Sequence, residues 1–159
     1  MRNIVLARVD DRLIHGEVVS VWTPALSVNH IVIVDDGVAA DAFNKRVIKA
    51  LAPAGVKVNV YGTEKGAERL KAEPKPGEKM MVLTKSPTTY WHLVEKGVAI
   101  REVNLGGMGL RGERKTFIKN VACDEEEKEA IRKLLAHGVR VYYQLVPEQQ
   151  IIEANSYVE

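Results

Sequence analysis

Apolar and polar positions alternate in blocks along the chain. Short apolar runs at residues 4–7, 31–34, 56–61, 80–83, 100–105, 116–121 and 139–145 are bounded by Gly, Pro, Asp or Ser and read as seven strands. Ile31-Val32-Ile33-Val34 is β-branched and apolar on both faces, which suits an interior parallel strand. Residues 56–61 alternate and read as half exposed. Between the strands the period changes to that of a helix. Val18, Val19, Val21 and Trp22 form one helix ending near residues 24–27. Ala40, Phe43, Val47, Ile48 and Leu51 form a second, stopped by Pro53 and Gly55. Gly62-Thr63 starts a polar third helix reaching about residue 71. Ser86-Pro87 caps a fourth carrying Tyr90, Trp91, Leu93 and Val94. Asp124 opens a fifth whose apolar positions are Ile131, Leu134 and Leu135, ended by Gly138. Residues 72–79 read as an exposed loop, and Pro147 begins a short tail.

Strands alternating with helices predict an α/β fold: three-layer α/β/α, an open twisted and mainly parallel sheet of about six to seven strands with helices on both faces. A length of 159 residues predicts a single domain over residues 1–159. Composition adds exclusions. Hydrophobic residues at 46% and charged residues at 28% are those of a soluble protein, and no apolar run approaches the roughly 20 residues that cross a bilayer. Residues 4–7 are too few for a signal peptide, so a cytoplasmic location is expected. Net charge is +2, too weak to argue for nucleic acid. The lone Cys123 permits no internal disulfide and reads as a small buried hydrophobe.

Candidate chemistry concentrates just after the first strand, in Asp10-Asp11-Arg12-Leu13-Ile14-His15-Gly16. In open parallel sheets ligands sit outside the carboxyl ends of the strands, which puts His15 in the crevice. There the N–H groups of a starting helix near Gly16 favour an anion. Arg12 adds a planar fork of donors suited to phosphate oxygens. A nucleophilic nitrogen beside a phosphate cradle suggests a phosphoryl acceptor. The plainer alternative is that His15 is a polar helix-start residue and that Arg12 pairs with Asp10 or Asp11.

The stretch from Asp10 to Gly16, followed by Val18 and Trp22, resembles the signature loop of IIB components of the mannose/fructose/sorbose family of bacterial sugar phosphotransferase systems. The resemblance extends to Asn104-Leu105-Gly106-Gly107-Met108 and to the order of apolar segments over nearly the whole chain. It implies that His15 accepts a phosphoryl group at Nδ1 from a phosphorylated IIA protein and passes it to a sugar entering through the membrane IIC/IID permease. It further implies peripheral association with that permease, and no cofactor. Arg12 would stabilise the transferring group. Gly106 and Gly107 would let a loop pack closely against the His15 turn. Glu17 stands where the family most often has Gln, and is expected to point away from the phosphate. The rival reading is a non-catalytic domain of the same fold that senses phosphate at Arg12 and Gly16. A homo-oligomer is left open.

Several supporting assignments stay divided. The Asp10 and Asp11 carboxylates either orient Arg12 or the His15 ring, Asp10 with Arg12 being the first reading, or oppose the phosphate, by roughly 3 kcal/mol for a charge about 6 Å away, and so ease release. Leu13 and Ile14 either anchor the loop in the core or face a partner. Arg111, Arg114 and Lys115 read first as an ordinary solvated run, and second as a positive rim for a phosphorylated partner. Residues 107–112 fit G-x-G-x-x-G, but the strand expected next is not the helix a dinucleotide needs. Asp35-Asp36 resembles a receiver's acidic pair on the wrong strand and without its aspartate nucleophile, so both are assigned to turn and helix-start amides. His30, His92 and His137 lack metal-ligand spacing, and no metal is expected.

Overall fold

The computed structural model describes residues 1–16 and 18–158, so the expectation for Glu17 lies outside the described residues. Among the described residues a seven-stranded sheet forms from β1 (Ile4–Asp10), β2 (His30–Val34), β3 (Lys57–Tyr61), β4 (Met80–Thr84), β5 (Glu102–Gly107), β8 (Arg140–Tyr143) and β9 (Ile152–Glu153). Its order is β3-β2-β4-β1-β5-β8-β9, with every pairing parallel except β8 with β9. β6 (Lys115–Ile118) and β7 (Val121–Cys123) form a separate antiparallel hairpin.

Helices cover both faces. One face carries a π-helical turn at Val18–Trp22, then α1 (Thr23–Ala25), α2 (Asp36–Ala39) and α3 (Ala42–Ala50). They close on Leu6, Ile31, Ile33, Met81 and Leu83. The other carries α4 (Thr63–Lys71), α5 (Pro87–Glu95) and α6 (Glu125–Ala136), whose Leu70, Tyr90, Leu93, Ile131 and Leu134 close on Val9, Val32, Val82 and Val103. This is the three-layer α/β/α architecture expected. Its placing of the site follows from strand order: the chain leaves β1 toward β2 on one side and later returns past β1 to reach β5 on the other. That reversal opens a crevice at the carboxyl end of β1.

Side-chain caps fix the helix starts as the sequence signals. Asp35 accepts from the Val38 amide at α2, and Ser86 from Thr88 at α5. Asp124 and Glu127 form a capping box on α6. Thr63 has no side-chain cap from Gly62; Asp36 reaches across from α2 and accepts from the Thr63 amide at 2.7 Å. Asp35 and Asp36 thus serve helix-start amides. Cys123 is buried, which pushes its thiol up to about 12.

Four expectations are corrected. The run at residues 116–121 is not one strand but β6, a turn at Lys119-Asn120 with Lys119 at φ +47°, and β7; the short turn lets both strands bury Phe117, Ile118, Val121 and Cys123. The tail after Pro147 adds β9 antiparallel to β8, leaving Ala154 and Val158 buried. On α3, only Ile48 of the predicted apolar stripe is buried; Phe43, Val47 and Leu51 are exposed, because a short helix over the sheet edge turns one narrow line inward. Finally, the loop at 72–79 ends in a buried carboxylate. Glu78 receives Arg2 Nη2 at 2.6 Å and Arg2 Nε at 2.8 Å, and lies 3.1 Å from His30 Nδ1.

That ion pair makes stability pH-dependent. Hydrogen bonds from Arg2, opposed by burial and aided by His30, hold the Glu78 carboxyl at about 2. A depressed carboxyl contributes stability that is complete above its unfolded value near 4.5 and is lost as pH falls toward 2. The contribution is about 3 kcal/mol. Urea midpoints between pH 7 and pH 2 are expected to fall over that window in the native chain, and to fall less by this amount in Glu78→Gln, which starts lower at neutral pH.

Candidate functional site

β1 ends by turning sharply, and one carboxylate organises the turn. Asp10, fully buried, accepts from the Arg12 amide at 3.1 Å and from Arg12 Nε at 3.4 Å through Oδ1. Its Oδ2 lies 2.7 Å from His15 Nε2 and 3.4 Å from Arg8 Nη2. The Leu13 amide closes the turn on the Asp10 carbonyl at 2.9 Å, with Leu13 at φ +58°. Leu13 and Ile14 are buried with Val18 and Trp22. They anchor the loop in the core and do not form a docking face. Gly16 is exposed and begins the helical segment, and the Val19 amide donates to the His15 carbonyl at 3.0 Å. The next turn is π-helical, a form common at functional sites; Thr23 Oγ1 donates to the Val18 carbonyl at 2.8 Å.

The tautomer of His15 follows from this geometry. An ionised carboxylate only accepts, so Nε2 carries a proton and, in the neutral ring, Nδ1 keeps its lone pair. Among the described residues Nδ1 makes no hydrogen bond, and the side chain is 14% exposed. The ring is held but reachable. Arg12 is half exposed, beside it on the same carboxylate.

Beneath Asp10 lies a residue to which sequence reasoning assigned no role. Arg8 is completely buried, donates to Asn104 Oδ1 at 2.6 Å and to the Gln144 and Leu145 carbonyls at 3.1 Å, and stacks 5.1 Å from the Trp22 ring. Trp22 Nε1 shares the Leu145 carbonyl at 2.9 Å. The signal was a charged residue inside an otherwise apolar parallel strand, opposite Asn104 inside another. Gly106 and Gly107 belong to strand β5 and not to a loop; Gly106 packs against the Arg8 side chain, and Gly107 packs on Asp10 and accepts from the Asp11 amide at 2.9 Å, where the His15 turn begins. A Cβ on Gly106 would lie 2.1 Å from Arg8 Cζ, and one on Gly107 would lie 3.0 Å from Asp10 Oδ1. Their bare backbones make the room that these two charges fill.

Asp11 has a separate task. Its Oδ2 accepts from the Gly109 amide at 2.8 Å and from Arg114 Nη1 at 3.0 Å. Arg114 also donates to both oxygens of Glu127, at 2.9 and 2.8 Å, and to the Gly109 and Lys85 carbonyls. The solvated-run reading of Arg114 is therefore corrected: it is nearly buried and ties the His15 turn to the start of α6. Arg111 and Lys115 do lie exposed. Arg114→Met leaves Glu127 without its cation and Asp11 with only the exposed Arg111, and is expected to cost about 2–4 kcal/mol, read as a lowered urea midpoint.

His30, His92 and His137 lie away from this crevice: His30 with Glu78 and Asn59, His92 exposed on α5, His137 capping α6 against Trp91. Among the described residues no group of three His, Cys, Asp or Glu side chains is placed to hold a metal ion. Residues 107–112 lead into β6, so no helix meets that glycine pattern.

The family model described as PTS system sorbose subfamily IIB component matches residues 4–159. The chain belongs to this family. Among relatives of this IIB chain, the fructose-specific EIIB component of Bacillus subtilis (strain 168) is 34% identical over 147 residues, covering 92% of this chain and 90% of that one. The mannose-specific EIIAB component of Escherichia coli (strain K12) is 44% identical over 140 residues, covering 87% of this chain. The match spans only 43% of that longer protein. The IIBSor domain of the sorbose permease from Klebsiella pneumoniae superposes with a TM-score of 0.89 at 32% identity, over 98% of this IIB chain and 96% of the other. No helix among its described residues is long and apolar enough to cross a membrane.

Proposed function

We propose that this IIB chain is a phosphoryl carrier of a sugar phosphotransferase system, accepting the group on His15 Nδ1 from a phosphorylated IIA protein and delivering it to a sugar at the membrane IIC/IID permease. The observation that carries the reading is the 2.7 Å contact between His15 Nε2 and a buried Asp10. It leaves Nδ1 as the nucleophile. As Nδ1 bonds phosphorus, the donor nitrogen–phosphorus bond breaks and the donor imidazole leaves. The His15 ring, still protonated at Nε2, becomes cationic and is stabilised by the Asp10 carboxylate. Phosphoryl transfer otherwise asks for positioning and positive charge around the equatorial oxygens, and Arg12, half exposed at the same carboxylate, can turn to supply it. In the second transfer the sugar hydroxyl oxygen bonds phosphorus as the Nδ1–phosphorus bond breaks, the hydroxyl proton leaves to solvent, and the His15 ring returns to neutrality with its Nε2 proton in place.

Asp10 thus orients both Arg12 and His15 and is not a repulsive charge set against the phosphate. Delivery at the permease places the chain on the cytoplasmic side, held there by its partners. The test is incubation with the general phosphotransferase enzymes, a cognate IIA and labelled phosphoenolpyruvate. Acid-labile label on His15, absent in His15→Ala and chased by sugar only when the membrane subunits are added, is the expected result. An unlabelled chain that still binds inorganic phosphate would favour the phosphate-sensing alternative.

A further inference from the structure

From the exposed apolar side chain that follows Gly109 on the loop tied to the His15 turn, we infer that Leu110 is the knob on which the phosphoryl-donor protein docks, on a loop that carries Arg111 and is bonded to the turn that carries Arg12. This rests on the carrier reading above. Leu110 is 70% exposed, whereas its near neighbour Met108 is 1% exposed. An exposed leucine alone means little. This one is held: the Gly109 amide donates to Asp11, the Gly109 carbonyl accepts from Arg114 Nη1, and the Arg114 amide returns to the Arg111 carbonyl at 2.9 Å. Because Asp11 is the second residue of the His15 turn, knob and nucleophile share one rigid frame. A preformed apolar projection loses little conformational freedom when a partner covers it, which is how compact docking sites gain affinity.

Charge identifies the occupant. Arg12 and Arg111 have side chains 51% and 67% exposed, and Arg111 Nε lies 3.8 Å from Asp11. A protein carrying a phosphohistidine brings a dianionic group to this rim, and an apolar pocket edged by carboxylates around it would match the knob and its two cations. A second copy of this chain would set arginines against arginines. The rim therefore favours the donor over self-association.

The experiment measures phosphorylation of the full chain by phosphorylated IIA over a range of IIA concentrations, for the native protein, Leu110→Ser and Leu110→Met. Phosphoramidate, a small donor that needs no docking, is the parallel substrate. Leu110→Ser is expected to raise KM for phosphorylated IIA about tenfold with kcat within about twofold. Leu110→Met should restore KM, and all three should react alike with phosphoramidate. If the native chain is labelled and Leu110→Ser keeps its KM, docking at Leu110 is wrong while the carrier reading stands. A loss confined to self-association or to the sugar-delivery step overturns it equally. A native chain labelled by neither donor removes both proposals.

Discussion

Asp10→Asn is expected to slow phosphorylation of His15 by about 10²–10⁴-fold while the chain stays folded. The carboxylate serves two sets of donors, with Oδ1 facing the Arg12 amide and Nε, and Oδ2 facing His15 Nε2 and Arg8. An amide has one oxygen. If it keeps that oxygen toward Arg12, its NH₂ meets His15 Nε2 and favours the tautomer protonated at Nδ1, which has no lone pair to attack with. If it turns the oxygen toward His15, the NH₂ faces the Arg12 amide and opens the turn. In both cases the charge that balances the phosphorylated, cationic ring is gone. Rapid-quench measurement of label transferred from phosphorylated IIA reads the effect. A rate within threefold of native would mean that something other than Asp10 fixes the imidazole. His15→Ala abolishes label altogether, so the informative comparison is the residual rate of Asp10→Asn.

The loop around His15 was legible because its chemistry is local. Asp10 meets the Arg12 amide two residues on and the His15 ring five residues on, so the pairing of arginine and histidine with a nearby carboxylate can be read from spacing. The layered sheet was equally plain, since buried parallel strands such as residues 31–34 leave continuous apolar runs. Where sequence reasoning fell short, the deciding contact crossed the chain. Nothing near Arg114 announces that Asp11 and Glu127 wait 103 and 13 residues away. Arg8 stood out as a charge inside an apolar strand, but its partners did not: its acceptors Asn104, Gln144 and Leu145 come from β5 and from the segment after β8. The α3 stripe misled in the opposite sense. Periodicity reports which residues share a face, but only packing decides which face turns inward, and α3 gives the sheet Ile48 alone from that stripe.

Gly106→Ala shows how tightly these long-range contacts are drawn, and it is expected to be the most destabilising single methyl in the molecule. The added Cβ would stand 2.1 Å from Arg8 Cζ and 2.2 Å from Nη2. Neither partner can yield cheaply: Gly106 sits at a register shift of β5, fixed between Leu105 and Gly107, which both pair with β1, and Arg8 has its hydrogen bonds in a space sealed from water. Moving the guanidinium breaks its bonds to Asn104 and two carbonyls and leaves a buried charge underpaired, a loss of about 3–5 kcal/mol. The urea midpoint reads that loss. Asp10 also loses the cation beneath it, so the rate of His15 phosphorylation should fall in whatever fraction stays folded. Combining the substitution with Arg8→Gln removes the clashing guanidinium. A double-mutant cycle should then show a coupling of at least about 1 kcal/mol, with the double variant more stable than the summed single losses predict. If the two losses simply add, the close approach of Gly106 to Arg8 is not what the glycine is there to allow.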